Sequence, residues 1–264
     1  MKHSTGIFGK IYLGIVLILL YLPIVVVVLY SFNDSKSSAE WVGFTLDWYK
    51  KLFTSAKYTD SLKNSLLVSG LSVLGAGVIG TAAAVGAASR AFRTRSLFES
   101  LSMIPIMIPE IVMGMALLAL FTLARIPMGL GAITLAHITF CIPYVYLTVR
   151  SRLSDMDKSV IEAARDLGAT KTRAFLTVTV PLLAPAIGGG CLLAFAMSFD
   201  DVIISFFLTA PGANLLPVQV FSSLKVGLTP EINALFALML AAVLVALAIF
   251  TALSKILRGK KKKI

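Results

Sequence analysis

Six long apolar stretches, separated by short charged segments, dominate the pattern of the chain. A bilayer core about 30 Å thick is crossed by about 20 apolar residues when they form a helix, and each stretch is about that long. They cover residues 11–32, 64–89, 101–124, 130–149, 182–210 and 234–253. The pattern therefore predicts six transmembrane helices. The fifth is ambiguous, because two prolines and three consecutive glycines near its start favour a break in the helix.

The composition excludes an ordinary water-soluble domain. Of the 264 residues, 58% are hydrophobic and only 14% are charged, whereas about 25% is usual in globular chains. Mean hydropathy is +0.90. The net charge of +11 would suit a nucleic-acid partner, but the basic residues lie between the apolar stretches instead of on one face. We therefore expect an all-α polytopic membrane protein that binds no nucleic acid.

The distribution of Lys and Arg orients the predicted spans. Cytoplasmic segments of membrane proteins are enriched in these residues. With the N-terminus inside, 17 of the 24 Lys and Arg residues fall in inside segments and 7 in outside segments. This predicts cytoplasmic termini, an outside segment at 33–63 and a cytoplasmic segment at 150–181. The lysine run at 260–263 predicts contact with anionic membrane lipid.

The predicted cytoplasmic segment carries signals for a short helix with a defined end. Ser159 and Glu162 have the spacing of a capping box, and Gly168 suits the residue that ends a helix. A second helix can restart at Thr170 and run to Pro181. A helix this short is unstable alone, which predicts that it docks into a groove on a partner. A surface helix that merely bridges two spans is the alternative.

The same segment resembles the EAA motif of ABC-importer permeases. That motif is EAA-x3-G-x9-I-x-L-P, and here its two apolar positions are valines. The matching residues are Glu162, Ala163, Ala164, Gly168, Val178, Val180 and Pro181. The resemblance implies a MetI-like fold in which Glu162, Ala163, Ala164, Gly168 and Pro181 couple the chain to a cytoplasmic ATPase.

The chain lacks a GxxxxGK[ST] phosphate loop, so ATP and Mg are expected on that partner. No catalytic residue, metal or cofactor is expected in this chain, which is not itself an enzyme.

Other segments extend the resemblance to polyamine permeases over nearly the whole chain, as a single permease domain, 1–264. They are 30–33, 41–49, 108–113, 137–143, 198–202, 224–227 and 230–234. This resemblance implies import of spermidine or putrescine across a bacterial inner membrane by alternating access. It further implies a second, B-type permease subunit, an ATPase dimer and a periplasmic polyamine-binding protein.

Three carboxylates fall within the predicted spans: Glu110, Asp200 and Asp201. A charge at the bilayer centre costs about 2.5–3.5 kcal/mol on insertion scales, so such residues usually line a pathway or pair with a base. Neither span contains a Lys or Arg. Unpaired carboxylates fit a cationic substrate, and we predict that all three bind it. Pro105 and Pro109 predict a broken or kinked helix beside Glu110.

Several alternatives stay open at this point. A permease for another solute, such as iron, thiamine or a phosphonate, shares the EAA motif, although the carboxylates argue against an anionic solute. A proton-coupled carrier could use Glu110 as a relay. An intramembrane enzyme would require a catalytic constellation that the spans lack. Asp200 and Asp201 could instead be a solvated pair outside the pathway, and His137 is interpreted as a packed core histidine.

Overall fold

A computed structural model describes residues 7–35, 40–88, 95–157, 159–227 and 229–261 of the chain. Over these ranges the chain is helical, with one isolated bridge between Asn33 and Phe44. The helices are α1 (Ile7–Tyr30), α2 (Asp47–Thr54), α3 (Ala56–Ala87), α4 (Arg95–Met107), α5 (Glu110–Leu123), α6 (Leu130–Asp155), α7 (Ser159–Asp166), α8 (Lys171–Ala174), α9 (Val180–Asp200), α10 (Ile203–Leu208), α11 (Leu216–Val226) and α12 (Pro230–Lys261). The predicted all-α class is confirmed. Ser89, the predicted end of the second span, lies outside the described residues. So do seven of the basic residues counted for the orientation, which are Lys2, Lys36, Arg90, Arg93, Lys158, Lys262 and Lys263.

Five described helices are long and apolar enough to cross a bilayer. They are Phe8–Tyr30, Ala56–Ala87, Leu130–Asp155, Lys171–Asp200 and Pro230–Ile249. A sixth crossing is obtained when two bent helices, Glu99–Met107 and Glu110–Leu123, count as one broken span. They meet at 107°, and Pro109 is extended between them with φ −55° and ψ 135°. The break predicted beside Glu110 is therefore confirmed.

The fifth span differs from its predicted range of 182–210. Its helix begins at Lys171, within the segment expected to be cytoplasmic, and continues through a π-helical turn, Phe175–Thr179, into α9. The wider π turn accommodates Pro181, which has no N–H to donate to the preceding turn. The later proline and the glycines remain helical. The chain breaks only after Asp200 and restarts as α10, so the break lies beside the acidic residues rather than the glycines.

The described residues form two compact units. The first comprises the described parts of Met1–Thr59 and Val220–Ile264. Within it α1 and α2 both pack on α12, while the side chains of α1 are mostly exposed, as suits a helix surrounded by lipid. The buried side-chain oxygen of Asn33 accepts a hydrogen bond from the backbone N–H of Val42 (2.9 Å), and the backbone carbonyl of Asn33 accepts one from the indole N–H of Trp48 (2.8 Å). These bonds shape the link between α1 and α2.

The second unit, Asp60–Gln219, surrounds one buried core. Helix α6 packs on α4, α9 and α10, and α5 packs on α10. Glycines let α3 and α9 approach α6 closely. A Cβ added at Gly80 of α3 would lie 2.9 Å from the Cβ of Val145 in α6, and a Cβ added at Gly190 of α9 would lie 2.9 Å from the Cα of Val145. This tight packing positions α6 beside both helix breaks. A single permease domain over the whole chain stays a prediction.

Candidate functional site

Two helix breaks each place a carboxylate at the start of a short helix. Glu110 is the first residue of α5, directly after the bend at Pro109. Asp201 precedes α10 and accepts hydrogen bonds from the backbone N–H groups of Ile204 (3.2 Å) and Ser205 (2.8 Å). Helix N-termini carry a partial positive charge. Both positions therefore suit an acidic side chain within an apolar span.

His137 joins Asp201 to a buried polar network. Its Nε2 lies 3.3 Å from Oδ2 of Asp201 and 3.1 Å from Oγ of Ser205. Its Nδ1 lies 2.7 Å from Oγ of Ser198, whose hydroxyl donates to Ser69 at 3.2 Å. The network links α3, α6, α9 and α10, and mutual hydrogen bonding offsets the cost of burying its polar atoms. These contacts support the interpretation of His137 as a packed core histidine.

The two neighbouring aspartates occupy different environments. Asp201 is 8% exposed and contacts His137, whereas Asp200 is exposed at the end of α9. The prediction that both carboxylates are unpaired is wrong for Asp201. The predicted span that contains Asp201 has no Lys or Arg, but helix packing brings His137 of α6 into contact with it. A substrate-binding role for either aspartate stays a prediction.

Glu110 and Asp201 line the same small cavity. Its volume is about 60 Å³, room for only a few water molecules. Phe140 and Tyr144 contribute aromatic rings from α6, and the remaining lining residues are Pro105, Ile106, Ile108, Met113, Met197 and Ile204. Carboxylates beside aromatic rings suit a cationic group, but an organic cation requires the cavity to widen. Across the described ranges, no group of three or more His, Cys, Asp or Glu is arranged to hold a metal ion.

The start of α7 is capped by Asp157 rather than by Ser159. Oδ1 of Asp157 accepts a hydrogen bond from the backbone N–H of Ser159 at 2.9 Å. This bond lowers the pKa of Asp157 from its ordinary value, because it favours the ionised carboxylate. Ser159 is itself the first helical residue. The capping box predicted from Ser159 and Glu162 is therefore wrong, and the actual cap lies two residues earlier.

The end of α7 is a Schellman motif centred on Gly168. This glycine has φ +90°, its N–H donates to the carbonyl of Arg165 (2.9 Å), and the N–H of Ala169 donates to that of Ala164 (3.1 Å). The side chain of Thr170 then caps α8. The predicted stop and restart of the helix are confirmed.

Most side chains of α7 are exposed, while Ile161 and Ala164 are half-buried. No side chain of this helix is fully buried, and Leu167, directly after the helix, is 90% exposed. Glu162 and Ala163 are exposed on the helix, and Pro181 is exposed at the start of α9. A short helix with uncovered apolar side chains indicates a surface that another molecule covers. The coupling role predicted for this segment depends on such a partner.

One ion pair that sequence reasoning missed joins α4 to α6. Nε of Arg150 donates to Oε1 of Glu99 at 3.2 Å, and both side chains are partly buried. Glu99 lies just before the predicted span 101–124, and Arg150 lies just after the predicted span 130–149. Their positions at the ends of neighbouring spans were the sequence signal that could have predicted the ion pair. The contact brings the start of α4 and the end of α6 to the same side. It therefore supports counting α4 and α5 as one broken span.

Comparison with known proteins identifies a family and its members. Residues 76–263 match the family described as "Binding-protein-dependent transport system inner membrane component". The chain is 38% identical over 226 residues to the spermidine/putrescine transport system permease protein PotC of Escherichia coli (strain K12), covering 86% of each chain. It is 40% identical over 231 residues to the putrescine transport system permease protein PotI of the same strain, covering 85% of this chain and 82% of that one.

Solved structures share the fold. The crystal structure of a bacterial ABC transporter involved in import of the acidic polysaccharide alginate aligns with a TM-score of 0.70 and 16% identity, covering 97% of this chain and 98% of that one. An inward-facing MetNI methionine ABC transporter aligns with a TM-score of 0.62 and 17% identity, covering 79% and 95%. At these identities the similarity concerns the fold alone.

Proposed function

The chain belongs to the family of binding-protein-dependent transport system inner membrane components, and on that basis we propose that it is a permease subunit of an ATP-driven polyamine importer. Relatives at 38% and 40% identity are named for spermidine and putrescine. The observation that carries the proposal is the cavity lined jointly by Glu110, Asp201, Phe140 and Tyr144. In this role the chain conducts substrate, and a separate subunit hydrolyses ATP.

The lining of the cavity suits the chemistry of a polyamine, which is an alkyl chain carrying ammonium groups. Glu110 supplies the carboxylate that meets an ammonium group directly. Asp201 acts as a fixed negative charge, because its Oδ2 already accepts from the hydroxyl of Ser205 (2.6 Å) and lies near His137. The rings of Phe140 and Tyr144 attract the cation through their faces.

Asp200 has a different part in the proposal. Because its side chain is exposed, it raises the local concentration of cations at the approach to the cavity rather than holding one inside it. Such an effect weakens as ionic strength rises, since exposed charges are screened. Glu110, Asp200 and Asp201 thus all contribute to recognition, with Glu110 making the closest contact.

Alternating access in this proposal uses the two helix breaks as hinges. The cavity is too small for a polyamine, so α5 and α10, which pack on each other, must move to widen it. The movement is driven through α7, whose exposed surface fits into a cleft of the ATPase. Glu162, Ala163, Ala164 and Gly168 form this coupling element, and Pro181 joins it to α9.

The proposed assembly contains this chain, a B-type permease subunit, two ATPase subunits that hold ATP and Mg, and a periplasmic polyamine-binding protein. It lies in the inner membrane with anionic lipid near its C-terminal lysines, and both termini of this chain are cytoplasmic. Cysteines introduced at Thr54 and Ser154, both exposed, test the orientation. An impermeant maleimide added outside should label Thr54→Cys and not Ser154→Cys, and the reverse pattern would overturn it.

Reconstitution of the complete complex tests the function. Uptake of labelled putrescine and spermidine into proteoliposomes should require ATP, the binding protein and the ATPase, and vanadate should abolish it. Uptake that persists without the ATPase and follows a proton gradient would instead identify a secondary carrier. A fully assembled complex that takes up neither polyamine would assign the chain to another solute.

A further inference from the structure

Two short segments between α1 and α2 lie side by side and form a hairpin that neither the cavity nor the coupling segment uses. The backbone N–H of Asp34 donates to the carbonyl of Gly43 (2.8 Å), and that of Thr45 donates to the carbonyl of Phe32 (2.7 Å). We call the two segments the α1–α2 hairpin. They are residues 31–35 and 40–46.

Buried polar contacts hold the α1–α2 hairpin in one shape. The side-chain amide of Asn33 donates to the carbonyl of Glu40 at 2.6 Å, in addition to the two hydrogen bonds of Asn33 described above. Oγ of Ser31 lies 2.7 Å from the hydroxyl oxygen of Tyr49, and both Ser31 and Asn33 are fully buried. Because these polar groups are satisfied on the inner side, the hairpin presents its outward side chains from a fixed backbone.

The outward side chains of the hairpin are apolar. Trp41 is 53% exposed, and the exposed fractions of Val42, Phe44 and Leu46 are 66%, 68% and 50%. The ring of Phe44 stacks on that of Phe32, with centroids 5.3 Å apart, so it is held in place although most of the residue is exposed. A contiguous apolar surface of this kind indicates that another molecule covers it.

The hairpin adjoins the end of a helix that suits a lipid environment. Tyr30 is the last residue of α1, and its ring meets that of Trp41 edge-on, with centroids 6.3 Å apart. The apolar surface of the hairpin therefore continues the exposed apolar surface of α1. Tryptophan and tyrosine favour the boundary between membrane and water. The exposed side chains in the first half of α2 are charged instead, namely Asp47, Lys50 and Lys51, which places the edge of the apolar surface at the start of α2.

We infer that the α1–α2 hairpin binds the phospholipid surface, with Trp41, Val42 and Phe44 inserted at the boundary between headgroups and acyl chains. The leaflet is the one in which α1 ends, which is the outer leaflet in the proposed orientation. Because the inserted side chains are apolar and aromatic, the bilayer boundary itself is recognised rather than one headgroup. Since α1 and α2 both pack on α12, insertion sets the depth of these helices in the bilayer. The inference goes beyond the proposed function and holds whichever solute the chain carries.

The two tryptophans of the chain provide the first measurement. Trp41 points outward, whereas Trp48 is 8% exposed, so Trp41→Phe leaves only the emission of the buried residue as an internal control. The full chain is reconstituted into phosphatidylcholine vesicles that carry bromine either near the headgroups or near the ends of the acyl chains. Bromine close to the headgroups should quench the wild-type emission most, and Trp41→Phe should lose most of that quenching. Equal quenching in both proteins, stronger quenching by the deep bromines, or no quenching of the wild type would each overturn the inference.

Photochemical crosslinking tests the same surface in the complex as it is purified from the membrane. Phe44→p-benzoylphenylalanine keeps an aromatic ring at the stacked position, and the complex is irradiated in phosphatidylcholine vesicles with the binding protein present. Mass spectrometry should find this chain heavier by one phospholipid. The matched control is Thr54→p-benzoylphenylalanine, at the exposed end of α2, which should give far less lipid adduct.

Two results of the crosslinking would overturn the inference. A crosslink from position 44 to another permease subunit or to the binding protein, in place of lipid, would show that a protein covers the hairpin. Equal lipid adducts at positions 44 and 54 would show that the hairpin contacts the bilayer no more than its surroundings do. Neither measurement uses transport as its readout, so a failure of the polyamine proposal would leave both results interpretable.

Discussion

The cavity at the two helix breaks and the coupling segment on α7 differ in how their polar groups are satisfied. At the cavity, Asp201, His137 and three serines contact one another inside the chain. On α7, the ends are capped locally, but no side chain is buried. The fold thus preorganises the first region, whereas in the proposed function a partner completes the second. Changes in the network of Asp201 and His137 should therefore lower the stability of the isolated subunit, and changes at α7 should mainly affect the assembled complex.

The largest expected effect follows from Gly168→Val. A β-branched residue at φ +90° is strongly strained, at a cost of about 1–2 kcal/mol or more, and relief of this strain removes the Schellman end of α7. We expect unchanged membrane insertion but loss of ATPase co-purification or of transport-coupled hydrolysis. A Cβ at Gly168 would meet nothing within 4 Å, so backbone strain, and not a clash of the Cβ, is the expected cause of the loss.

Gly212→Val is the matched control for this change. Gly212 also has positive φ (+79°) and open space around its Cβ position, but it lies outside the coupling segment. It should therefore add similar strain while leaving ATPase recruitment intact. If both variants lose the ATPase equally, backbone strain in general, rather than the shape of α7, causes the defect.

The next effect separates the two carboxylates of the cavity. Glu110→Gln and Asp201→Asn each remove a charge-assisted contact worth about 1.5–3 kcal/mol, or about ten- to a hundredfold in transport. Only Asp201→Asn should also lower the thermal stability of the isolated subunit, because only Asp201 belongs to the His137 network. Uptake of labelled spermidine and thermal unfolding in detergent measure the two effects.

Asp200→Asn is the internal comparison for this pair. Its side chain is exposed, so its effect on uptake should be smaller and should disappear at high ionic strength. Wild-type uptake by assembled complexes of all three variants would make these carboxylates structural. Equal, salt-independent losses would place Asp200 in the cavity with the other two.

The contrast between these regions also explains what could be predicted from the sequence. The spans, the break at Pro109 and the end of α7 at Gly168 depend on local hydropathy and backbone chemistry. The contact between Asp201 and His137 depends on α6 packing beside α10, and no local pattern specifies that geometry. The cap at Asp157 was missed for a different reason. Ser159 and Glu162 have the spacing of a capping box, but Ser159 can cap the helix only if it lies before the first turn, and the sequence does not show where that turn begins.

His137→Gln should affect stability more than the chemistry of transport. Glutamine can still hydrogen-bond but cannot reach Ser198, Ser205 and Asp201 together, and each buried polar group left unsatisfied costs about 1–3 kcal/mol. The isolated subunit should therefore unfold at a lower temperature. Ile133→Val, one turn before His137 on the buried face of α6, is the control for loss of packing alone. If both variants lower the unfolding temperature equally, the polar network adds nothing beyond packing.

The smallest expected effect concerns the cap of α7. Asp157→Ala removes the acceptor for the N–H of Ser159, whereas Asp157→Asn keeps an oxygen that can accept it. ATPase stimulation by the complex should thus fall slightly in the alanine variant and stay closer to wild type in the asparagine variant.

Because the hydrogen bond lowers the pKa of Asp157 from its ordinary value of 3.8, the ionised cap contributes fully above that value. Its contribution is lost only as the pH falls through the lower pKa of the folded state. The difference between the two variants should therefore be constant from pH 6 to pH 8. A difference that changes across this range would mean that another group, and not Asp157, controls the order of α7.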